Sequence, residues 1–316
     1  MSERKTYAGN CHCGLVKFTV ELPSLDSLHA CGCSICTKKG YLFVFVPKAA
    51  VTVTKGAGTD GLGGGVLSAY AFGPKQREHR FCGTCGTAFG IVNTHDGDAP
   101  VALNTRMFQG VDLWALPVQQ VKGAEGAPYV PPVFPGLAAL QAEPLETGEK
   151  IYPGSCHCGA ITFALKSPWL LEKTGPEDVE NNVVAECDCS TCIRHAAIYT
   201  YPRPLSRVPQ AVASTTPDAV AEYFSVTGTK FVSTQFCRIC GCVLGLRVVG
   251  PPNAAALPAR VQEIIKKKCD LKPVQVRALD FVLGLKEEDR AEWERVKAAV
   301  KRGRGSEDGK PYVVPE

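Results

Sequence analysis

Cysteine is the residue type through which this chain can do chemistry. There are 16 cysteines in 316 residues, against two methionines. Seven of them fall at positions 11, 13, 31, 33, 36, 82 and 85, and seven more at 156, 158, 187, 189, 192, 237 and 240. Each set reads C-x-C, then C-x-C-x-x-C, then C-x-x-C-G. On a strand, C-x-C puts two thiolates on one face, because side chains alternate with period two. C-x-x-C followed by glycine is a common turn-borne thiolate pair for zinc. Joining Cys11, Cys13, Cys82 and Cys85 gives four soft ligands and a closed tetrahedral site. Cys156, Cys158, Cys237 and Cys240 give a second. The remaining Cys31, Cys33 and Cys36, and their counterparts Cys187, Cys189 and Cys192, supply three ligands each. Three protein ligands and one open position is the form of a catalytic zinc site. Disulfides fit the count but not a reducing compartment. A redox pair needs one exchange-active motif, not seven ligands. An iron–sulfur cluster remains an alternative that colour would reveal. Zinc is the expected cofactor, up to four ions per chain and two per repeat.

The elements that must position these ligands repeat with them. Tyr7 to Phe18 parallels Tyr152 to Phe163, and Phe81-Cys-Gly-Thr-Cys-Gly86 parallels Phe236-Cys-Arg-Ile-Cys-Gly241. The expected organisation is a first zinc domain over 1–122, a Gly- and Pro-rich linker over 123–150 without an apolar period, and a second zinc domain over 151–316. The second copy carries insertions at Lys166–Asn182, read as a loop, and at Val249–Leu271. β-rich runs bounded by Gly, Pro and Asn predict strands at Leu15–Leu22, Tyr41–Val46 and Ala88–Val92. In copy two they fall at Ala160–Leu165, Ile198–Tyr201 and Val243–Val249. Helical spacing is confined to Pro258–Lys268 and Glu287–Lys301. The fold class is therefore mainly β, two tandem domains of antiparallel strands with a short helical C-terminal region.

These motifs resemble the glutathione-dependent formaldehyde-activating enzyme family, which includes centromere protein V. The resemblance is carried by Cys-His-Cys-Gly (11–14 and 156–159), Cys-Gly-Cys-Ser-Ile-Cys (31–36), Cys-Asp-Cys-Ser-Thr-Cys (187–192) and the two Phe-Cys-x-x-Cys-Gly segments (81–86 and 236–241). It implies a β-tent fold. It also implies structural roles for the four-cysteine sets and an exchangeable, catalytic zinc at Cys31, Cys33 and Cys36 and at Cys187, Cys189 and Cys192. The activity it implies is that of a carbon–sulfur lyase or S-(hydroxymethyl)glutathione synthase, acting on a small-molecule thiol or thiol adduct. Copy one, with His79 ahead of Phe81-Cys82, leans toward the centromere-protein branch, whereas copy two has Thr234 there. Two other readings stand beside the enzyme: a non-catalytic zinc-stabilised binding module, and a zinc lyase acting on another small metabolite.

Composition narrows the classes. Apolar residues make up 45% and charged residues 21%, and the formal net charge is +4. This is ordinary globular material, without the concentrated basic stripe of a nucleic-acid binder. No stretch approaches the roughly 18 apolar residues needed to cross a membrane. Ser2 to Lys5 lead into no apolar h-region, so a cytoplasmic, or nuclear, location is expected. Oligomeric state is not readable.

Other residues carry weaker expectations. His79 on a strand points opposite to Cys82, toward a pocket or into packing. His195 is read as a solvated histidine, with a fourth zinc ligand or a base as the alternative. His12 and His157 point away from the metal. Lys38, Lys39, Arg77 and Arg80 could hold the carboxylates of a tripeptide thiol, with solvation as the default. Cys242 reads as a buried free thiol and Cys269 as inert. Gly61–Gly65 lacks the G-K-[ST] of a phosphate loop. The basic runs at 266–268 and 301–304 read as solvated helix ends.

Overall fold

The computed structural model describes residues 4–123, 128–146, 148–168, 170, 184–202, 206, 208, 210–212, 216–226, 230–303 and 312–316. The strands of the first half are β1 (Lys5–Asn10), β2 (Lys17–Leu22), β3 (Leu28–Cys31), β4 (Phe43–Val46), β5 (Val51–Lys55), β6 (Ser68–Tyr70), β7 (Arg77–Phe81), β8 (Ala88–Asn93), β9 (Val101–Asn104) and β10 (Val118–Val121). A short helix α1 (Ser34–Lys39) follows Cys33. The second half repeats this series with β11 (Glu149–Ser155), β12 (Ile161–Pro168), β13 (Ala185–Cys187), β14 (Ile198–Thr200), β15 (Gln210–Val212), β16 (Val220–Phe224), β17 (Val232–Cys237), β18 (Val243–Val248), β19 (Val274–Gln275) and β20 (Lys301–Gly303). Its helices are α3 (Ser190–Arg194), α4 (Ala259–Cys269) and α5 (Glu287–Ala299), and α2 (Leu137–Ala142) lies between the halves.

Each half holds a three-stranded and a seven-stranded sheet. The small sheets run β1-β2-β5 and β11-β12-β15. The large ones run β10-β3-β4-β9-β8-β7-β6 and, read in the same sense, β20-β13-β14-β19-β18-β17-β16. Pairing is antiparallel except at one edge of each large sheet, where β10 lies parallel to β3 and β20 parallel to β13. The period-two pattern builds these strands. In β2, Phe18, Val20 and Leu22 are buried while Glu21 is exposed, so one face packs inward and the other meets water.

The fold is mainly β, as the patterning implies, and the strand positions agree within a few residues at their ends. Several local expectations are corrected. Cys11 and Cys13 are not on a strand: β1 ends at Asn10, and the two cysteines occupy a turn. The expected linker holds a helix, α2, and the start of β11. The basic run beginning at Lys301 is an edge strand, not a helix end, because α5 stops at Ala299. The helix expected over Pro258–Lys268 is found, as the exposed α4 inside the second insertion. Most of the Lys166–Asn182 insertion lies outside the described residues, while Lys166–Pro168 still belongs to β12. Among the described residues, no helix is long and apolar enough to cross a membrane.

The two halves share their cores. Ile35, Cys36, Tyr41 and Phe43 of the first half pack within the second half's apolar cluster, and Ala221, Tyr223 and Phe236 of the second pack within the first's. Phe81 and Phe236 are both fully buried. A methyl group on Gly241 would sit 2.6 Å from the Phe81 ring, and one on Gly86 would sit 2.9 Å from Phe236. Each phenylalanine thus lies against the other half's C-x-x-C-G turn, and the contact is reciprocal.

Candidate metal centres

Four sulfur clusters form, each with its Sγ atoms within 4.8 Å of one another: Cys11/Cys13/Cys82/Cys85, Cys156/Cys158/Cys237/Cys240, Cys31/Cys33/Cys36 and Cys187/Cys189/Cys192. None of the sixteen cysteines is in a disulfide. In the four-cysteine clusters the neighbouring Sγ atoms stand 3.6 Å apart for Cys11–Cys13 and Cys13–Cys82, and 3.5 and 3.6 Å apart for Cys156–Cys158 and Cys158–Cys237. Sulfurs at about 2.3 Å around a tetrahedral zinc are roughly 3.8 Å apart, so the donor set fits such an ion in both chemistry and spacing.

The turns that carry these ligands explain the fit. After Cys11 the chain bends back, Gly14 N–H donating to Cys11 O at 2.9 Å and Val16 N–H to Cys11 Sγ at 3.2 Å. Gly14 has φ +75°, a conformation that side chains resist. The space beside it is taken by Pro315, whose carbonyl oxygen would lie 2.6 Å from an added Cβ. In copy two Ile161 N–H donates to Cys156 Sγ at 3.3 Å. Amide donors of this kind favour thiolate over thiol.

The three-cysteine clusters are built by a strand end and a helix start. Cys31 ends β3, Cys33 is the extended residue just before α1, and Cys36 lies in the helix. Copy two uses β13 and α3 in the same way. Cys33 N–H approaches Cys31 Sγ at 3.4 Å, as Cys189 N–H approaches Cys187 Sγ. Within the first cluster, the S–H groups of Cys33 and Cys36 draw Cys31 down to about 3, while Cys36 is pushed well above the usual thiol range. In the second, Cys187 and Cys192 draw Cys189 down to about 3. One sulfur of each trio is thus held as thiolate at neutral pH, ready to ligate. No fourth His, Cys or carboxylate joins either trio among the described residues.

The clusters are tied together across the halves. His12 Nδ1 bonds to Tyr223 Oη at 2.7 Å, and its Nε2 faces Ser190 Oγ at 3.0 Å and Thr191 Oγ1 at 2.9 Å, both on α3. His157 does the same with Tyr70 Oη and Ser34 Oγ, each at 2.9 Å. Each closed cluster therefore touches the helix of the other half's open trio. Burial lowers both histidines to about 4, so they are neutral and take part as hydrogen-bonding groups rather than as ligands.

The helix ends are held by buried cations. Lys38 reaches Ser155 O, Ala278 O and Asp280 Oδ1 in the second half. Arg194 reaches Asn10 O and Oδ1 in the first. Arg106 and Arg277 donate to Gly40 O at 2.7 Å and Ala196 O at 3.1 Å, carbonyls one residue past α1 and two past α3.

These contacts correct the expectation of solvated charges. Lys38 and Lys39 are buried, and Arg80 is buried against Asp60 and Glu78. None of these three is a surface anchor for a substrate carboxylate, and only Arg77 is exposed. His195 is 4% exposed, and its Nε2 bonds to Cys85 O at 2.7 Å; it is neither solvated nor a ligand. His79 is buried between the rings of Tyr41 and Phe72. Cys242 is buried next to Cys240, and Cys269 is half-buried beside Gly250.

Two residues that the cysteine frame leaves out complete the sites. Tyr129 stacks on His157 with ring centres 4.3 Å apart and donates to His157 O at 2.9 Å. Tyr312 lies 4.8 Å from the His12 ring and donates to His12 O at 2.7 Å. The signal was a repeated Pro-Tyr-Val, at 128–130 and 311–313.

Residues 6–114 match the family model described as glutathione-dependent formaldehyde-activating enzyme. The match spans most of the first repeat. The second repeat shares its motifs, strand order and cysteine clusters. A crystal structure of a Rhodobacter sphaeroides protein is 27% identical over 35% of this chain and 99% of its own, with a TM-score of 0.30.

Proposed function

We propose that the protein forms or breaks a carbon–sulfur bond on a glutathione-like thiol adduct, at Cys31/Cys33/Cys36, at Cys187/Cys189/Cys192, or at both. The observation that carries this reading is the presence of both trios, each without a fourth protein ligand among the described residues, beside two closed four-cysteine clusters. Three thiolates outweigh a divalent charge, which disfavours hydroxide chemistry and suits a soft substrate sulfur, and zinc held there would keep that sulfur as thiolate. In the synthetic direction, one S–C bond forms between the thiol sulfur and an aldehyde carbon. The C=O π pair moves to oxygen, and the thiol proton ends there. Cleavage runs the same path backwards. The chain's part is to hold the sulfurs in register through α1 and α3, whose ends are fixed by Lys38, Arg194, Arg106 and Arg277. Unpaired cysteines throughout suit a reducing compartment such as the cytosol.

The test is the rate of exchange between glutathione plus formaldehyde and S-(hydroxymethyl)glutathione, followed by NMR. Acceleration by the intact protein that is lost when Cys33→Ser and Cys189→Ser are combined supports the reading. Equal rates with and without protein refute it.

A further inference from the structure

Buried polar atoms are almost always hydrogen-bonded, and an orphan costs about 1–3 kcal/mol. Three orphans cluster in the first repeat: Lys39 Nζ, Tyr41 Oη and His79 Nδ1. Their residues are 7%, 3% and 4% exposed. They are neighbours, with the Lys39 ammonium 5.7 Å from the centre of the Tyr41 ring and the Tyr41 and His79 rings 5.9 Å apart. Lys39 also sits 4.5 Å over the Phe81 ring. The group adjoins the first open trio. Tyr41 N–H donates to Cys36 O at 3.3 Å, and Tyr41 shares a buried cluster with Cys36, against which Cys31, Cys33 and the Phe72 that flanks His79 are packed.

Copy two lacks the arrangement. Counting from the shared cysteines, Tyr41 becomes Ala197, His79 becomes Thr234 and Lys39 becomes His195. The internal repeat thus provides a comparison within one chain: the same framework is kept without these groups, so the framework does not require them. Local rules of this kind are broken where a ligand restores the balance.

The chemistry of the three indicates the ligand. An ammonium and a phenol are donors, and a neutral imidazole nitrogen can donate or accept. Such a set suits a small oxygen centre, an aldehyde carbonyl or the hydroxyl it becomes. We infer that Lys39, Tyr41 and His79 bind the oxygen of a small aldehyde, or of its thiol adduct, beside Cys31/Cys33/Cys36, and that this oxygen site belongs to the first repeat alone. The inference deepens the proposed function and rests on it.

Tyr41→Phe in the full-length chain is the test, with glutathione and formaldehyde as probes. The variant removes only the orphan hydroxyl. It should keep the parent's zinc content and its Tm, or raise the Tm, because nothing in the protein bonds that oxygen. The kcat/KM for formaldehyde should fall about tenfold, the worth of one buried hydrogen bond. The affinity for glutathione alone, measured by calorimetry, should be unchanged. A fall in Tm that accompanies the loss of activity would make Tyr41 a packing residue and overturn the inference. Parental kinetics in the variant would overturn it as well, while leaving the proposed reaction intact. If the unmodified protein gives no acceleration, the proposed reaction is wrong and this assignment falls with it.

Discussion

Lys38→Met should destabilise the protein through a contact made only between the two repeats. The Lys38 ammonium is fully buried. It donates to Asp280 Oδ1 at 2.9 Å, Ser155 O at 3.0 Å, Ala278 O at 3.1 Å and Ser155 Oγ at 3.4 Å. Methionine keeps the apolar stem and removes the charge. Asp280 is then left with Ser155 Oγ at 2.9 Å, and two carbonyls lose this donor. Breaking a buried ion pair from one side costs about 3–5 kcal/mol. Asp280 is 14% exposed and gains some water, which places the expected loss near the lower end, about 3 kcal/mol. In a chain of this size that is a fall in Tm of roughly 6 °C. Differential scanning calorimetry of the zinc-replete protein reads it directly. Lys38→Met/Asp280→Leu should recover at least half of the loss, because the stranded carboxylate is removed too. A single variant within about 1 °C of the parent would refute the claim that the repeats dock through this buried cation.

Further outcomes follow from the same geometry. Cys11→Ser opens a closed cluster and should unfold the first repeat, since structural zinc contributes about 10 kcal/mol of folding energy; Cys33→Ser should leave circular dichroism intact and lower the zinc content. Equal thermal loss in the two would contradict the division into closed and open sites. Gly241→Ala places a methyl group 2.6 Å from Phe81 at φ +70°, and should cost several kcal/mol by calorimetry, about 1–2 of them from the backbone alone. Burial depresses His79 to about 3 from the usual 6.5. Between those pH values the unfolded chain binds the extra proton, so stability should fall as pH drops from 6.5 toward 3. His79→Gln should lose less over that window than the parent, by urea unfolding at fixed zinc.

What the sequence disclosed was what repeats and what alternates. Fourteen cysteines in register were enough to sort the ligands into four clusters, and β-rich runs bounded by Gly, Pro and Asn were enough to place strands such as β2 and β8. The six-residue α1 and five-residue α3 are too short to show a helical period. The turn at Cys11–Gly14 was mistaken for strand because C-x-C alternates in either conformation; the following glycine was the better sign. The interface between repeats was hidden because it is made by Lys38, Lys39, Arg194 and His195, residue types that are normally solvated. The burial of Lys38, Arg194 and His195 depends on carbonyls and a carboxylate supplied from more than a hundred positions away, whereas Lys39 lies over the Phe81 ring. Tyr129 and Tyr312 sat in a visible repeat, but outside the frame set by the cysteines.

The account turns on whether a substrate thiol enters an open site. Zinc K-edge X-ray absorption on the full-length protein, titrated with glutathione, reads this most directly. The prediction is that the sulfur coordination per zinc rises as glutathione is added, with no loss of zinc, and that the rise is absent when Cys33→Ser and Cys189→Ser are combined. A spectrum unchanged at saturating glutathione, or a metal other than zinc in the clusters, would contradict it and leave the protein a zinc-free or purely structural binding module.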